Sequence, residues 1–478
     1  MSSRRAPALV VLVAVLGALL YFSSRGHADT PPAFGREGGV AMPETDRATA
    51  VSSTWYCAGG TAKEGGDANL TVVLTNLSAT DRRGTITWMA TGATTHGVTK
   101  PLRIGPDETI SVAALEDVTA PIVSALVELD GGDVAVEHAV SGPRGSGAAP
   151  CASQASTNWY FANGVTERDA SEVLALFNPF PDDAVVDLSF STDQGRDNPR
   201  LLQGYPVAAG TTAFIKVQDH VRRRAVTAVA VVARTGRLVV DRIQSFDGSL
   251  GRAGVSLSLG APTPSSTWVF PDGLWEEGLT ETWHVYNPSD REAQVSLEVV
   301  PEKGDAPEPL DVTVPPHTQE TLDASSINRV PSGVAHSATV RSLNGVKIVA
   351  ERGVDARRPA PRRGWSSSLG SPSTAARWSF PIGEATDSTD EWLVVNNPGV
   401  HAVDVSVVAL VGGRRLAVEG LQKVRVKPAG RVALRLGDHI SRTPLPLLVE
   451  ASGDVVVERD AYGVFRIGLS AVIGIPVR

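Results

Sequence analysis

The chain reads as all-β: four tandem β-sandwich repeats, immunoglobulin-like in the loose sense, placed after an N-terminal apolar segment. Three observations predict this. An aromatic and glycine pattern recurs four times along the 478 residues, with Trp55, Trp159, Trp268 and Trp378 spaced 104, 109 and 110 residues apart. Apolar and polar residues alternate with the period of two that gives a strand one buried and one wet face. No segment carries a 3.6-residue apolar period long enough for a core helix. A β-propeller in which each repeat supplies two four-stranded blades is the alternative.

The first element is the apolar run. After Arg4 and Arg5 come 19 uncharged residues, "APALVVLVAVLGALLYFSS", about 28 Å of helix, which just spans a hydrocarbon core. The leading arginines predict a cytoplasmic N-terminus and export of everything after Ser24. Residues 1–28 are thus a signal anchor or, with cleavage after "GHA", a signal peptide. A single-pass membrane protein with its repeats outside is the expected address, and secretion the alternative. Residues 29–52 are rich in Pro, Gly and charge, and predict a flexible tether.

The repeats then follow as residues 53–151, 152–263, 264–373 and 374–478. Five residues after each tryptophan stands a glycine: Gly60, Gly164, Gly273 and Gly383. Asn76, Asn178, Asn287 and Asn397 follow the tryptophans by 21, 19, 19 and 19 residues. In the last three repeats Pro comes next, a turn signal, before an alternating strand such as Val186, Leu188 and Phe190. Each repeat closes on an apolar run ending in an acid, with Glu137, Asp241, Glu351 and Glu458 in matching places, and then a glycine-containing exit. Short strands with turns every 8–12 residues indicate a sandwich. Cys57 stands where the other repeats have Phe161, Phe270 and Phe380, and Cys151 lies at the exit of the same repeat. In an exported chain these two, the only cysteines, predict a disulfide. Such a bond ties one unit's start to its own end, favouring separately folded beads on a string.

Composition excludes some functions. A formal charge of −8 repels nucleic acid. No His-Glu-x-x-His, G-x-S-x-G, P-loop or Cys-x-x-Cys is present, and nine scattered histidines lack metal-ligand spacing. The sequence nominates no catalytic, cofactor-binding or metal-ligating residue. Asp219-His220 and Asp438-His439 occupy one structural position used twice, and the acid-Arg dipeptides point their side chains to opposite faces, predicting inter-unit or cross-strand ion pairs. Trp55, Trp159, Trp268 and Trp378 share one place in the repeat, beside an apolar Phe in three copies, and read as core. Trp275, Trp283 and Trp392 do not, and are the candidates for contact with carbohydrate.

The repeated W-x-F-x-x-G, strand-Asn-Pro and V-x-V-E-R pattern resembles that of bacterial surface proteins, and the anchored four-unit layout resembles an uncharacterised actinobacterial family of envelope proteins. The resemblance implies a fold and an address, and no enzyme or cofactor. The expectation is a non-catalytic extracytoplasmic envelope protein acting as an interaction or spacer arm. A cell-wall polysaccharide-binding protein is the second reading and an envelope enzyme the third. The expected partners are envelope proteins or cell-wall glycans, and the membrane through residues 1–28.

Overall fold

Each of the four segments builds two antiparallel sheets from the alternating strands that the sequence predicts. The computed structural model describes residues 42–92, 97–327, 330–464 and 466–478. The apolar segment and the start of the expected tether lie outside them; among the described residues no helix is long and apolar enough to cross a membrane. The second segment shows the plan. Its first sheet orders Asn158–Phe161, Thr227–Thr235 and Ala184–Thr192, with two short strands at the edge; its second orders Thr211–Lys216, Ala170–Asn178, Val239–Asp247 and Ala253–Leu259. The first and third segments repeat the order. In the fourth, Leu447–Gly463 runs unbroken for 17 residues and serves both sheets. Among the described residues no sheet closes into a barrel.

Within a segment the two sheets share one core. In the second, Trp159, Leu188 and Val231 of the first sheet pack with Leu174, Leu176 and Val240 of the other. The repeated residues each have a local cause. Trp159, Trp268 and Trp378 are buried and donate Nε1–H to the carbonyls of Leu238, Ile348 and Val455, at 2.8, 2.8 and 3.1 Å. Every repeated asparagine is buried: Asn178 Nδ2 donates to Asp182 O and Val207 O, and its Oδ1 accepts from Phe180 N–H. One amide thus satisfies three backbone groups where the chain leaves one sheet for the other. The repeated glycine avoids a collision, since a Cβ on Gly164 would lie 2.4 Å from Glu172 Oε1.

Each segment's first strand also pairs with its own exit, through Tyr56 with Ala152, Tyr160 with Ala261, Val269 with Ser371 and Ser379 with Ile475. The Cys57–Cys151 disulfide lies at this joint in the first segment.

Self-closure does not make the units beads, and here the expectation is corrected. The four strands Gly145–Pro150, Ala253–Leu259, Gly364–Leu369 and Leu469–Ile473 converge on a common axis, where they line a small apolar cavity of about 70 Å³. Ser258 Oγ reaches Ser367 O at 2.8 Å, and Ala471 N–H reaches Ser366 Oγ at 3.1 Å. The fourth segment returns to the first: Arg415 pairs with Asp107 at 2.9 Å. Residues 42–50, which the sequence places in the tether, lie against the folded units. Thr45 N–H donates to Pro476 O at 3.0 Å, Asp133 N–H to Asp46 O at 2.9 Å, and Glu44 pairs with Arg478. These backbone bonds hold Pro- and charge-rich residues that lack any apolar period, so periodicity alone did not place them.

Removing residues 373–478 from this closed circuit strips the partners from buried Glu137 and Arg352. Each orphaned charge costs about 3–5 kcal/mol, against a typical domain stability of about 5–15 kcal/mol. The truncated chain should therefore aggregate or melt without a cooperative transition, as followed by calorimetry. A soluble three-unit protein with a sharp melt would restore the bead arrangement.

Candidate functional site

The charged residues that end each unit are buried at the contacts between units. Glu137, Asp241 and Glu351 are 0% exposed, and Glu458 is 1% exposed. Each meets the base of the preceding unit: His138 Nε2 to Asp241 Oδ2 at 2.9 Å, Arg242 Nη2 to Glu351 Oε2 at 2.7 Å, and Arg352 Nη2 to Glu458 Oε1 at 2.6 Å. Arg459 Nη1 lies 3.5 Å from Glu137 Oε2 and closes the series. The same four acids accept backbone N–H groups from the loop after that unit's first strand: Ala58, Ala162, Asp272 and Ile382. Opposite orientation of neighbouring strand residues makes this possible, with the acid facing one neighbour and the base the other.

Burial raises the Glu137 and Asp241 carboxyls above their ordinary values, against the pull of Arg459 and of His138. Glu458 and Asp460 are likewise raised by burial. Burial works against the Arg352 charge, but Glu458 and Asp460 outweigh it and hold the guanidinium protonated. The cluster can hold units together.

The first unit shows how its cysteines fit this scheme. In the other units a glycine faces the repeated phenylalanine: a Cβ on Gly260 would be 2.8 Å from Phe161, and one on Gly474 would be 2.6 Å from Phe380. Cys57 and Cys151 occupy the matching phenylalanine and glycine places, so a disulfide replaces a ring-on-backbone contact. Arg242 and Arg459 stack over Phe161 and Phe380 with centroid distances of 5.0 and 5.8 Å. With the ring gone, the base is the smaller His138, whose Nδ1 lies 3.3 Å from Cys151 Sγ. Cys57, His138 and Cys151 are close enough to share an ion, but the sulfurs are bonded to each other and are not thiolate ligands.

A second set of acids escaped the sequence reading. Glu172, Glu281 and Glu391 stand six residues before Asn178, Asn287 and Asn397, all buried beneath the repeated glycine, with Leu70 in their place in the first unit. Register would have revealed them, although no motif does. Thr227 Oγ1 donates to Glu172 Oε2 at 2.6 Å, His336 Nε2 lies 2.9 Å from Glu281, and Glu384 N–H donates to Glu391 at 2.7 Å. Burial pushes both Glu172 and Glu391 up to about 7.

Of the three tryptophans proposed for carbohydrate, Trp283 is 0% exposed. A buried indole has no free face, and Trp283 leaves the candidate set. Trp275 and Trp392 are half-buried. Trp275 Nε1–H donates to Val330 O at 3.0 Å, while Arg362 stacks 5.7 Å from Trp392. They pack in different apolar clusters, and the fold does not build them into one platform. Asp219-His220 and Asp438-His439 both end short 3-10 turns, and His439 Nδ1 bonds Glu419 O at 2.9 Å.

One feature breaks the fourfold register. A cavity of about 540 Å³ opens between the fourth and first units. Its walls include Ser141, Ser146, Glu384, Glu391, Arg459 and Arg466.

Comparison with known proteins adds a family match over part of the chain. The family of unknown function DUF5719 matches residues 131–271, from the end of the first unit to the start of the third. A search of curated proteins found no match. Among solved structures, the Anabaena sensory rhodopsin transducer shares 21% identity at a TM-score of 0.17, covering 18% of this chain and 94% of that one. A tetra-tandem repeat from the extending region of a large adhesion protein shares 12% identity at 0.10, covering 87% and 98%. An alpha-L-rhamnosidase of Streptomyces avermitilis shares 8% at 0.12, covering 86% and 57%. At these TM-scores none of the three bears on fold or activity.

Two outcomes follow from the buried charges. Arg242→Met should lower stability by about 3–5 kcal/mol, because the buried Glu351 loses its cationic partner. Adding Glu351→Gln should recover much of that loss in urea denaturation; strictly additive losses would show that the pair is not coupled. The second concerns Glu172, whose folded pKa of about 7 exceeds the ordinary 4.5. Its contribution is full below about pH 4.5 and is lost as pH rises through about 7. Glu172→Gln should therefore match the parent at low pH and exceed it above about pH 7, by up to about 3 kcal/mol. Parallel melting curves from pH 4.5 to 8 measure it, and a constant offset would refute it.

Proposed function

We propose that the chain is a non-catalytic, extracytoplasmic binding module of the cell envelope. In this reading the units are immunoglobulin-like sandwiches packed side by side into a propeller-like ring, a hybrid of the two architectures that the sequence suggests. The observation that carries it is register. The acid-base groups that end each unit recur in all four and meet across the contacts between units, and Asp-His recurs in two units at the same turn. A catalytic centre needs one set of groups, whereas structural contacts must recur with the repeat.

The ring changes the form of the function. Units joined around an axis do not extend as a spacer, so the interaction role is retained and the arm is not. Residues 1–28 supply the membrane attachment and the address, and the actinobacterial envelope is the setting that the sequence resemblance suggests. Proteins of the envelope or its wall glycans are the partners; half-exposed Trp275 and Trp392 favour glycan contact at single points over an extended platform.

Residues 42–478, exported with the disulfide intact, test this. Co-sedimentation with purified cell-wall glycan, or in-cell crosslinking to one envelope protein, should persist in His220→Ala and His439→Ala. A turnover activity abolished by either substitution at unchanged melting temperature would show a catalytic site and overturn the proposal.

A further inference from the structure

The four contacts between units are related by register, so the side chains filling them can be compared place by place. Four positions of the following unit face each contact: the residues two and four beyond its acid, and their two partners on the exit strand. Strand pairing matches Ser146, Val255, Trp365 and Leu469, opposite Ser141, Ser245, Asp355 and Tyr462.

 These stand four beyond the acid; two beyond it, Ala139, Ile243, Gly353 and Asp460 stand opposite Ala148, Leu257, Ser367 and Ala471.

Three contacts are filled. Ile243, Val255 and Leu257 join the first unit's Leu70 between the first and second units. Trp365 packs on Phe246 at 5.0 Å between centroids in the next contact. Tyr462 and Leu469 pack with Leu279 and Ala356 between the third and fourth units. Between the fourth unit and the first, the same places hold Ala139, Ser141, Ser146 and Ala148, facing Ala461 and Gly463. Every bulky group is replaced by a small one, and the cavity of about 540 Å³ is the space they leave.

Its walls carry several polar groups. Arg459 is 2% and Glu391 1% exposed, and Arg459 Nε and Nη1 and Glu391 Oε1 have no hydrogen-bond partner. Of the four repeated acid-base pairs, that of Arg459 is the longest, 3.5 Å. Glu384 accepts from the Thr386 and Ser388 hydroxyls, and the exposed Arg466 donates to Thr389 Oγ1 at 2.8 Å. The volume suits a small ligand, and hydroxyl and carboxylate walls suit one that both donates and accepts hydrogen bonds. Two guanidinium groups add a place for a carboxylate.

We propose that the contact between the fourth and first units is a binding site for a short acidic saccharide, a sugar carrying a carboxylate. The sugar hydroxyls meet Ser141, Ser146 and Glu384, and its carboxylate meets Arg466 at the mouth and Arg459 within. This rests on the reading of the chain as a binding module and names the ligand class of one site on it.

Calorimetric titration of residues 42–478 with D-glucuronate, D-glucose and L-alanine tests it. Glucuronate should bind at millimolar concentration or below, glucose more weakly, and alanine not at all. Ser146→Trp copies the Trp365 that fills the matching place elsewhere, and should abolish glucuronate binding while the melting temperature holds or rises. Should that variant fail to fold, Arg466→Gln, on an exposed side chain, should weaken glucuronate about tenfold or more through loss of a charge-assisted bond and leave glucose unchanged. No heat with glucuronate, equal affinity for all three probes, or an Arg466→Gln variant that binds glucuronate like the parent would each overturn the site. Retained binding to wall glycan or an envelope protein in that event would leave the binding-module reading standing, whereas loss of both would remove the two together.

Discussion

Four buried carboxylates, Glu137, Asp241, Glu351 and Glu458, each serve two units at once. Each accepts a charge from the base of the preceding unit and a backbone N–H from the loop beyond that unit's aromatic residue. A buried carboxylate is stable only when its partners are in place. This requirement runs around the circuit, since the acid that the fourth unit needs stands in the first. An open row of units would leave Glu137 at one end and Arg459 at the other without partners, so closure and charge burial are one constraint.

The first unit meets that constraint with different residues. Elsewhere an aromatic ring lies on an exit glycine, and in the second and fourth units also beneath an arginine; here Cys57 and Cys151 replace ring and glycine, and His138 replaces the arginine. The acid facing His138 is Asp241, shorter than the glutamates opposite the three arginines. The substitutions form a set because they share one packed volume. The same unit replaces the buried inner acid by Leu70, and its Trp55 Nε1 has no hydrogen-bond partner. The disulfide spans 94 residues of sequence and, by restricting the unfolded chain, supports the unit in which these repeated polar contacts are fewest.

Register separates what the repeat explains in this molecule from what it does not. A feature present in every unit is explained by what every unit must do, which is to pair with two neighbours. Small side chains at one contact, where three others are filled by Leu70 with Ile243, Phe246 with Trp365, and Leu279 with Tyr462, have no such explanation. Packing alone favours filling a void of that size, because its lining forfeits dispersion contacts.

Strand alternation, the Asn-Pro turns and the lack of helical periodicity determined the all-β class, because a strand's two faces are written in adjacent residues. The Cys57–Cys151 bond was legible too, from one unit's departures at two repeated positions. The inward-facing Glu172, Glu281 and Glu391 lay in register but matched no motif, and Trp283 looked available only because burial is not a local property. Tertiary structure alone decided that the units close on one another, that residues 42–50 dock on the ring, and that one contact stays open. Those outcomes depend on which side chains meet across units more than 100 residues apart, as Arg459 meets Glu137. A repeat records what each unit carries; the volume and charge between units arise only when two faces come together.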